Sequence, residues 1–204
     1  MARFRCQSKT KLEEKVRLNE EGKIPYLGLS GARPTFIQTA VTVCISWLSC
    51  KWKICSLTQD VEAEHFGLFV SLGMGIMGYS FLGKGYSSGT FSGSSGVFGD
   101  YQAKSERFEA RNLNKIFALA ETLRAMAKAQ GAIAAQIAIA WPLVKGVQEV
   151  RLLGAKSAVY LEDNLGAKAV NLADGKVAHL DAAFSNSAAT DRFYPALLRA
   201  AWQQ

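Results

Sequence analysis

Residues Gly154-Ala155-Lys156-Ser157 have the composition of an anion-binding turn. The glycine lets backbone come close to a ligand, the lysine adds a point charge, and the serine stands just before a helical run, Ala158 to Ala167. The first N–H groups of a helix lack intrahelical partners and carry the positive end of its dipole, so a phosphate suits that position. A second candidate is Gly73-Met74-Gly75-Ile76-Met77-Gly78-Tyr79-Ser80, an apolar Gly-x-Gly-x-x-Gly run that ends on an aromatic ring. A ring at the C-terminal end of a strand can stack on a planar cofactor. On residue type alone each feature has a plainer reading. Tyr79 also suits a core, Lys84 and Lys156 a solvated face, and Ser30 a strand-end cap. His65 and His179 fall on expected helices away from any strand end and read as surface residues.

The elements that must position these residues alternate. Lys11–Glu21 is polar and helix-prone, and Gly22 stops it. Ile24–Ser30 reads as a first strand. Thr35–Val41 reads as a helix with Pro34 at its start, where proline is tolerated, and the β-branched stretch Thr42–Leu48 as a second strand. Asp60 caps a helix running to about Leu72, and Gly75–Ser80 is the third strand. Residues 83–99 form a Gly/Ser-rich loop of a length that usually marks a lid or a link. Asn112–Gln130 and Ala134–Lys145 are helices, the latter interrupted by Pro142. Val147–Leu153 is the fourth strand, followed by helices Ala158–Ala167 and Asp174–Phe184.

Strand alternating with helix implies an α/β fold with a parallel sheet and right-handed crossovers. A parallel barrel places its phosphate site at the loops after its last strands, and a complete one needs eight units in about 250 residues. The chain has 204 residues and shows four units. The expectation is a partial (β/α)₈ TIM barrel, roughly strands 5–8 with their helices and the first half missing. It would be one truncated domain over residues 1–204, with a basic tail at 1–11.

Hydrophobic content of 49% and charged content of 20% are globular values and exclude a wholly disordered chain. The net charge of +7 favours anionic ligands. Its early excess, from Arg3 to Arg17, comes with no RNA-binding aromatic motif or zinc-finger spacing, so nucleic acid is not an expected partner. The cysteines Cys6, Cys44, Cys50 and Cys55 form no CxxC pair, and no metal site is expected. With no apolar leader before a cleavage-like site, the chain reads as cytoplasmic with reduced thiols. Phe66 to Gly83 is an uncharged run of 18 residues, near the length of a membrane span. Its five glycines favour a helix end, a turn and a buried parallel strand, so no membrane contact is expected.

Glu21-Gly22-Lys23-Ile24-Pro25-Tyr26-Leu27-Gly28-Leu29-Ser30 resembles the fifth barrel strand of the aldo-keto reductases. The likeness resumes at Leu72 to Gly85, at Ala135-Gln136-Ile137-Ala138-Ile139-Ala140-Trp141, at Leu153-Gly154-Ala155-Lys156 with Leu161 to Ala167, and at Asp191-Arg192-Phe193-Tyr194-Pro195. The order and spacing of these segments carry more than any one of them. The resemblance implies an oxidoreductase that reduces aldehydes or ketones with NADPH, its partners being that cofactor and a small carbonyl substrate. It places Tyr79 against the nicotinamide ring and Ser30 on the carboxamide. It places Ser80, Leu82, Gly83 and Lys84 along the pyrophosphate. Gly154, Ala155, Lys156 and Ser157 would hold the adenosine 2′-phosphate, and Asp163 and Asn164 would face the adenine.

The chain departs from the family pattern at Gly31, Phe81, Leu153 and Tyr160, the last replacing a common arginine on the 2′-phosphate. No glutamine stands in Ser46–Cys55, where the family carries one for the carboxamide. The family's Tyr acid, with its Lys, Asp and His, lies on the first four strands, so no catalytic residue is expected in this chain. The alternative is a non-catalytic half barrel, a decaying copy or one that self-associates through its exposed edges.

Overall fold

The computed structural model describes residues 9–43, 47–53, 65–89, 110–145 and 149–187. The elements run α1 (Lys9–Glu20), β1 (Leu27–Ser30), α2 (Pro34–Val43), β2 (Trp47–Lys53), α3 (Phe66–Ser71) and β3 (Gly75–Tyr79). A 3-10 helix (Gly83–Ser88) precedes α4 (Ala110–Ala129) and α5 (Ala134–Ala140). A second 3-10 helix (Trp141–Lys145), β4 (Glu149–Leu152), α6 (Ala158–Gly166), a short 3-10 turn (Ala167–Ala169) and α7 (Asp174–Ser187) complete the order. The chain divides into two compact units. The first holds α1 to β3 together with β4, and the second holds the 3-10 helices and α4 to α7.

The first unit is an all-parallel sheet in the order β1-β2-β3-β4. Register sorts its residues by face, because successive side chains alternate. Leu29 pairs with Cys50 and Cys50 with Ile76, and all three are buried. Ser30 pairs with Lys51 and Lys51 with Met77 on the other face. Leu12, Ile37, Ala40 and Phe69 complete the buried set on the helices.

The second strand starts later than the sequence suggests. Thr42 and Val43 extend α2, and the strand is Trp47–Lys53. Two threonines fit the helix by turning their hydroxyls onto its own carbonyls: Thr39 donates to Thr35 O (3.0 Å) and Thr42 to Thr39 O (2.8 Å). The shift matters for the site, because it places Lys51 beside Ser30.

The run from Phe66 to Gly83 resolves into α3, a turn and β3. Gly73, at φ 63°, closes α3, with Met74 N donating to Phe69 O at 2.9 Å. No described helix is long and apolar enough to cross a membrane. His65, expected on the surface, is buried at 2% exposure just ahead of α3. Its ring lies against Phe69 one turn on, with centroids 5.8 Å apart, so packing with its own helix takes it out of solvent. His179 is exposed, as its sequence position indicates. Asp60, expected to cap this helix, lies outside the described residues.

The second unit has its own core, built from Ile116, Leu119, Leu123, Ile137, Trp141, Leu180 and Phe184. Trp141 meets Phe184 edge-on with centroids 4.6 Å apart, and its indole N–H donates to Asp181 Oδ1 at 2.7 Å. Pro142 ends α5 as expected, since the chain tightens into a 3-10 helix from Trp141. The segment expected as a loop from residue 83 begins instead as the 3-10 helix Gly83–Ser88; residues 90–99 lie outside the described part. That helix ends at Gly89, φ 77°, whose carbonyl accepts from Arg124 Nε (3.0 Å) and Nη2 (2.9 Å). A Cβ on Gly89 would lie 2.9 Å from Ala134 Cβ, so conformation and space both demand glycine.

Candidate cofactor site

In the first unit, three side chains gather toward the C-terminal ends of the strands. Ser30 is the last residue of β1 and is exposed. The chain turns at once through Gly31, φ 63°, whose N–H donates to Lys51 O at 3.1 Å and so fixes Ser30 against β2. Tyr79 is the last residue of β3 and is half-buried. Lys51, exposed, holds its ammonium 5.4 Å from the centroid of the Tyr79 ring, within the range of a cation–π contact. Sequence reasoning named Ser30 and Tyr79 but not Lys51. Its signal is the sheet register, which no inspection of Trp47–Lys53 alone reveals.

Beneath this face, burial pushes the Cys50 thiol up to about 11, against a smaller opposing hydrogen bond from the Ala32 backbone. That suits a core side chain and not a nucleophile.

Ser80 carries a φ of 64°, the only positive φ on a non-glycine among the described residues. Its carbonyl accepts from Gly83 N at 2.9 Å, closing a turn over buried Phe81 and half-buried Leu82. Leu82 O accepts from Gly85 N (2.8 Å) and Ser87 N (3.1 Å). Ser80, Leu82 and Gly83 therefore form one rigid turn. Lys84 follows in the 3-10 helix, and its side chain lies outside the described part of the structure.

In the second unit, Gly154 to Ser157 are all exposed and lead directly into α6. Ser157 is its N-cap, with extended backbone and Oγ accepting from Tyr160 N at 3.4 Å. Asn164 reaches back along the helix and donates from Nδ2 to Gly154 O at 3.1 Å, stapling the turn to α6. Gln136 of α5 donates from Nε2 to Asp163 O at 3.1 Å, while its Oε1 accepts from Ile133 N at 3.1 Å. This is half a capping box, because Ile133 has no side-chain acceptor to return. Asp163 and Asn164 are both half-buried, held by these contacts at the far end of the helix from the turn.

The turn is exposed, it leads into a nine-residue helix, and a Cβ on Gly154 would meet nothing within 4 Å, so an anion has room beside it. In the first unit, a ring and a hydroxyl stand at the ends of β3 and β1, with β2 and its Lys51 between them.

A parallel sheet of consecutive strands with helices between them is an α/β fold. The fold is that of solved structures: a glycerol dehydrogenase from Gluconobacter oxydans superposes with a TM-score of 0.80 at 18% identity, covering 91% of this chain and 57% of that one. A thermostable aldo-keto reductase solved with the inhibitor epalrestat gives 0.64 at 20% identity, covering 85% and 53%. The sequence profile of the Aldo/keto reductase family matches residues 10–184. "Probable aldo-keto reductase 1" of Glycine max is 33% identical over 98% of this chain and 59% of its own length. The chain belongs to the aldo/keto reductase family, whose members are oxidoreductases that use nicotinamide cofactors. It spans about three-fifths of the curated relative it matches.

Proposed function

We propose that this chain binds NADPH and serves the reduction of aldehydes or ketones, its four strands corresponding to strands five to eight of a (β/α)₈ barrel. The observation that supports this most directly is the exposed Gly154–Ser157 turn ahead of a capped helix, in a chain of this family. Gly154, Ala155, Lys156 and Ser157 are assigned to the adenosine 2′-phosphate, with backbone N–H donors and one ammonium. Ser80, Leu82, Gly83 and Lys84 are assigned to the pyrophosphate, Asp163 and Asn164 to the adenine, Ser30 to the carboxamide and Tyr79 to the nicotinamide face. The bound cofactor supplies the hydride. The carbonyl oxygen also needs a proton as the hydride arrives. The family resemblance assigns that donor to strands one to four, so none of this chain's residues is given the role.

The test is a titration of the purified chain with NADPH, following cofactor fluorescence and tryptophan quenching. Saturable binding is expected, weakened about tenfold by Lys156→Ala, as the loss of one exposed charge-assisted contact implies. NADH, lacking the 2′-phosphate, is expected to bind more weakly. A folded chain that binds neither nucleotide overturns the reading.

A further inference from the structure

Lys51 stands at the centre of the strand-end face, and the assignments above leave it without a role. It is the Cα partner of Ser30 across β1 and β2 and of Met77 across β2 and β3. Tyr79 lies two residues beyond Met77 and so on the same face. The Lys51 ammonium sits 5.4 Å from the Tyr79 ring centroid, where the ring's quadrupole attracts it. A positive charge is therefore held beside the ring assigned to the nicotinamide and next in register to the serine assigned to its carboxamide.

We propose that Lys51 makes this face discriminate between the two redox states of the nicotinamide, favouring the uncharged reduced ring over the oxidised cation. The inference rests on the cofactor reading above. The two forms share the same adenosine, ribose and phosphate groups. They differ at one ring, which is neutral when reduced and carries one positive charge when oxidised. A cation fixed beside that ring acts on the difference alone. Two unit charges roughly 6 Å apart, at an effective dielectric of about 40, change the ratio of affinities about tenfold. Lysine has three donors and no acceptor, so any hydrogen bond it gives the carboxamide carbonyl is open to both forms and leaves the ratio unchanged. The consequence is directional: the site loads with reductant and releases the cofactor once its hydride has gone.

The experiment measures dissociation constants for NADPH and NADP⁺ separately, by tryptophan quenching, in the full chain and in Lys51→Met, Lys51→Arg and Lys156→Ala, each checked for folding by circular dichroism. The expected result is that Lys51→Met lowers the ratio of the NADP⁺ constant to the NADPH constant about tenfold, mainly by tightening NADP⁺. Lys51→Arg, which keeps the charge, keeps the ratio. Lys156→Ala weakens both forms alike, because the phosphates are common to both. Saturable binding of both forms with equal ratios in the native chain and Lys51→Met overturns the inference and leaves the cofactor reading standing. Absence of saturable binding of either form by the folded native chain overturns the cofactor reading itself, and the inference with it.

Discussion

The side-chain amide of Asn164 donates to the carbonyl of Gly154 across 3.1 Å, tying the turn before α6 to that helix's last stretch. No residue of α6 is buried, and Val159, Leu161 and Leu165 are at least half exposed. The helix therefore gains little from burying its own side chains, and this polar staple carries much of the local order. Asn164→Ala is expected to cost about 1 kcal/mol of stability, the net value of a partly exposed hydrogen bond. Asn164→Asp is expected to cost more, since it sets a carboxylate against a carbonyl oxygen. If the turn holds a phosphate, both variants weaken NADPH binding, in the order Asp worse than Ala. Chemical denaturation and fluorescence titration of the three proteins check this.

Gln136 and Gly166 form a second tie. A Cβ on Gly166 would collide with the Gln136 amide, whose Nε2 is bonded to Asp163 O. Alanine is the better helix former by about 1 kcal/mol, yet Gly166→Ala is expected to destabilise by about 1 kcal/mol because it displaces a bonded amide. In a Gln136→Ala background the obstacle is gone, and the same substitution is expected to be neutral or stabilising. A double-mutant cycle measures the difference, and simple additivity of the two substitutions contradicts this account.

The alkaline limit of stability follows from the first unit's core. Cys50 is fully buried, and burial raises its thiol from 9.0 to about 11. The neutral thiol is favoured in the fold, so this contribution is complete below pH 9, where both states keep the proton. It is lost as pH rises from 9 to 11, because the unfolded chain deprotonates first. The shift corresponds to about 2 to 3 kcal/mol. Tyr86, raised by burial to about 12, extends the decline between pH 10 and 12. Cys50→Ala is expected to lower stability at pH 7 by about 1 kcal/mol through a small cavity while flattening the slope between pH 9 and 11. An unchanged slope in that variant rules out Cys50 as its source.

The helices and the parallel class of the sheet are legible in the sequence because apolar periodicity, glycine stops and Pro34 and Pro142 act locally. The helix that begins after Ser157 and a strand that ends at or next to Tyr79 follow from the same local signals. Three features depend on partners distant in sequence or on competing local options. The start of β2 was obscured because Thr42 and Val43 favour strand by type but are satisfied inside α2. His65 is buried because Phe69 receives it one turn on, and exposure is poorly encoded in a single histidine. Lys51 enters the site only through register with Ser30 and contact with Tyr79, neither of which is a property of its own segment.

Ser80 separates stability from binding. Its φ of 64° places a side chain in the left-handed region, which costs a non-glycine residue about 1 to 2 kcal/mol. Glycine relieves that strain but gains about 0.5 to 1 kcal/mol of freedom in the unfolded chain. Ser80→Gly is thus expected to stabilise the protein by about 0.5 to 1 kcal/mol, while Ser80→Ala keeps the strain and changes stability little. If the hydroxyl meets the pyrophosphate as assigned, both variants lose the same contact and weaken NADPH binding several-fold, as the loss of about 1 kcal/mol of hydrogen bonding implies. Thermal unfolding then distinguishes the two variants and nucleotide titration does not. A Ser80→Gly protein that is more stable and binds NADPH as tightly as the native chain shows that the strained serine serves the turn alone, and removes Ser80 from the cofactor site.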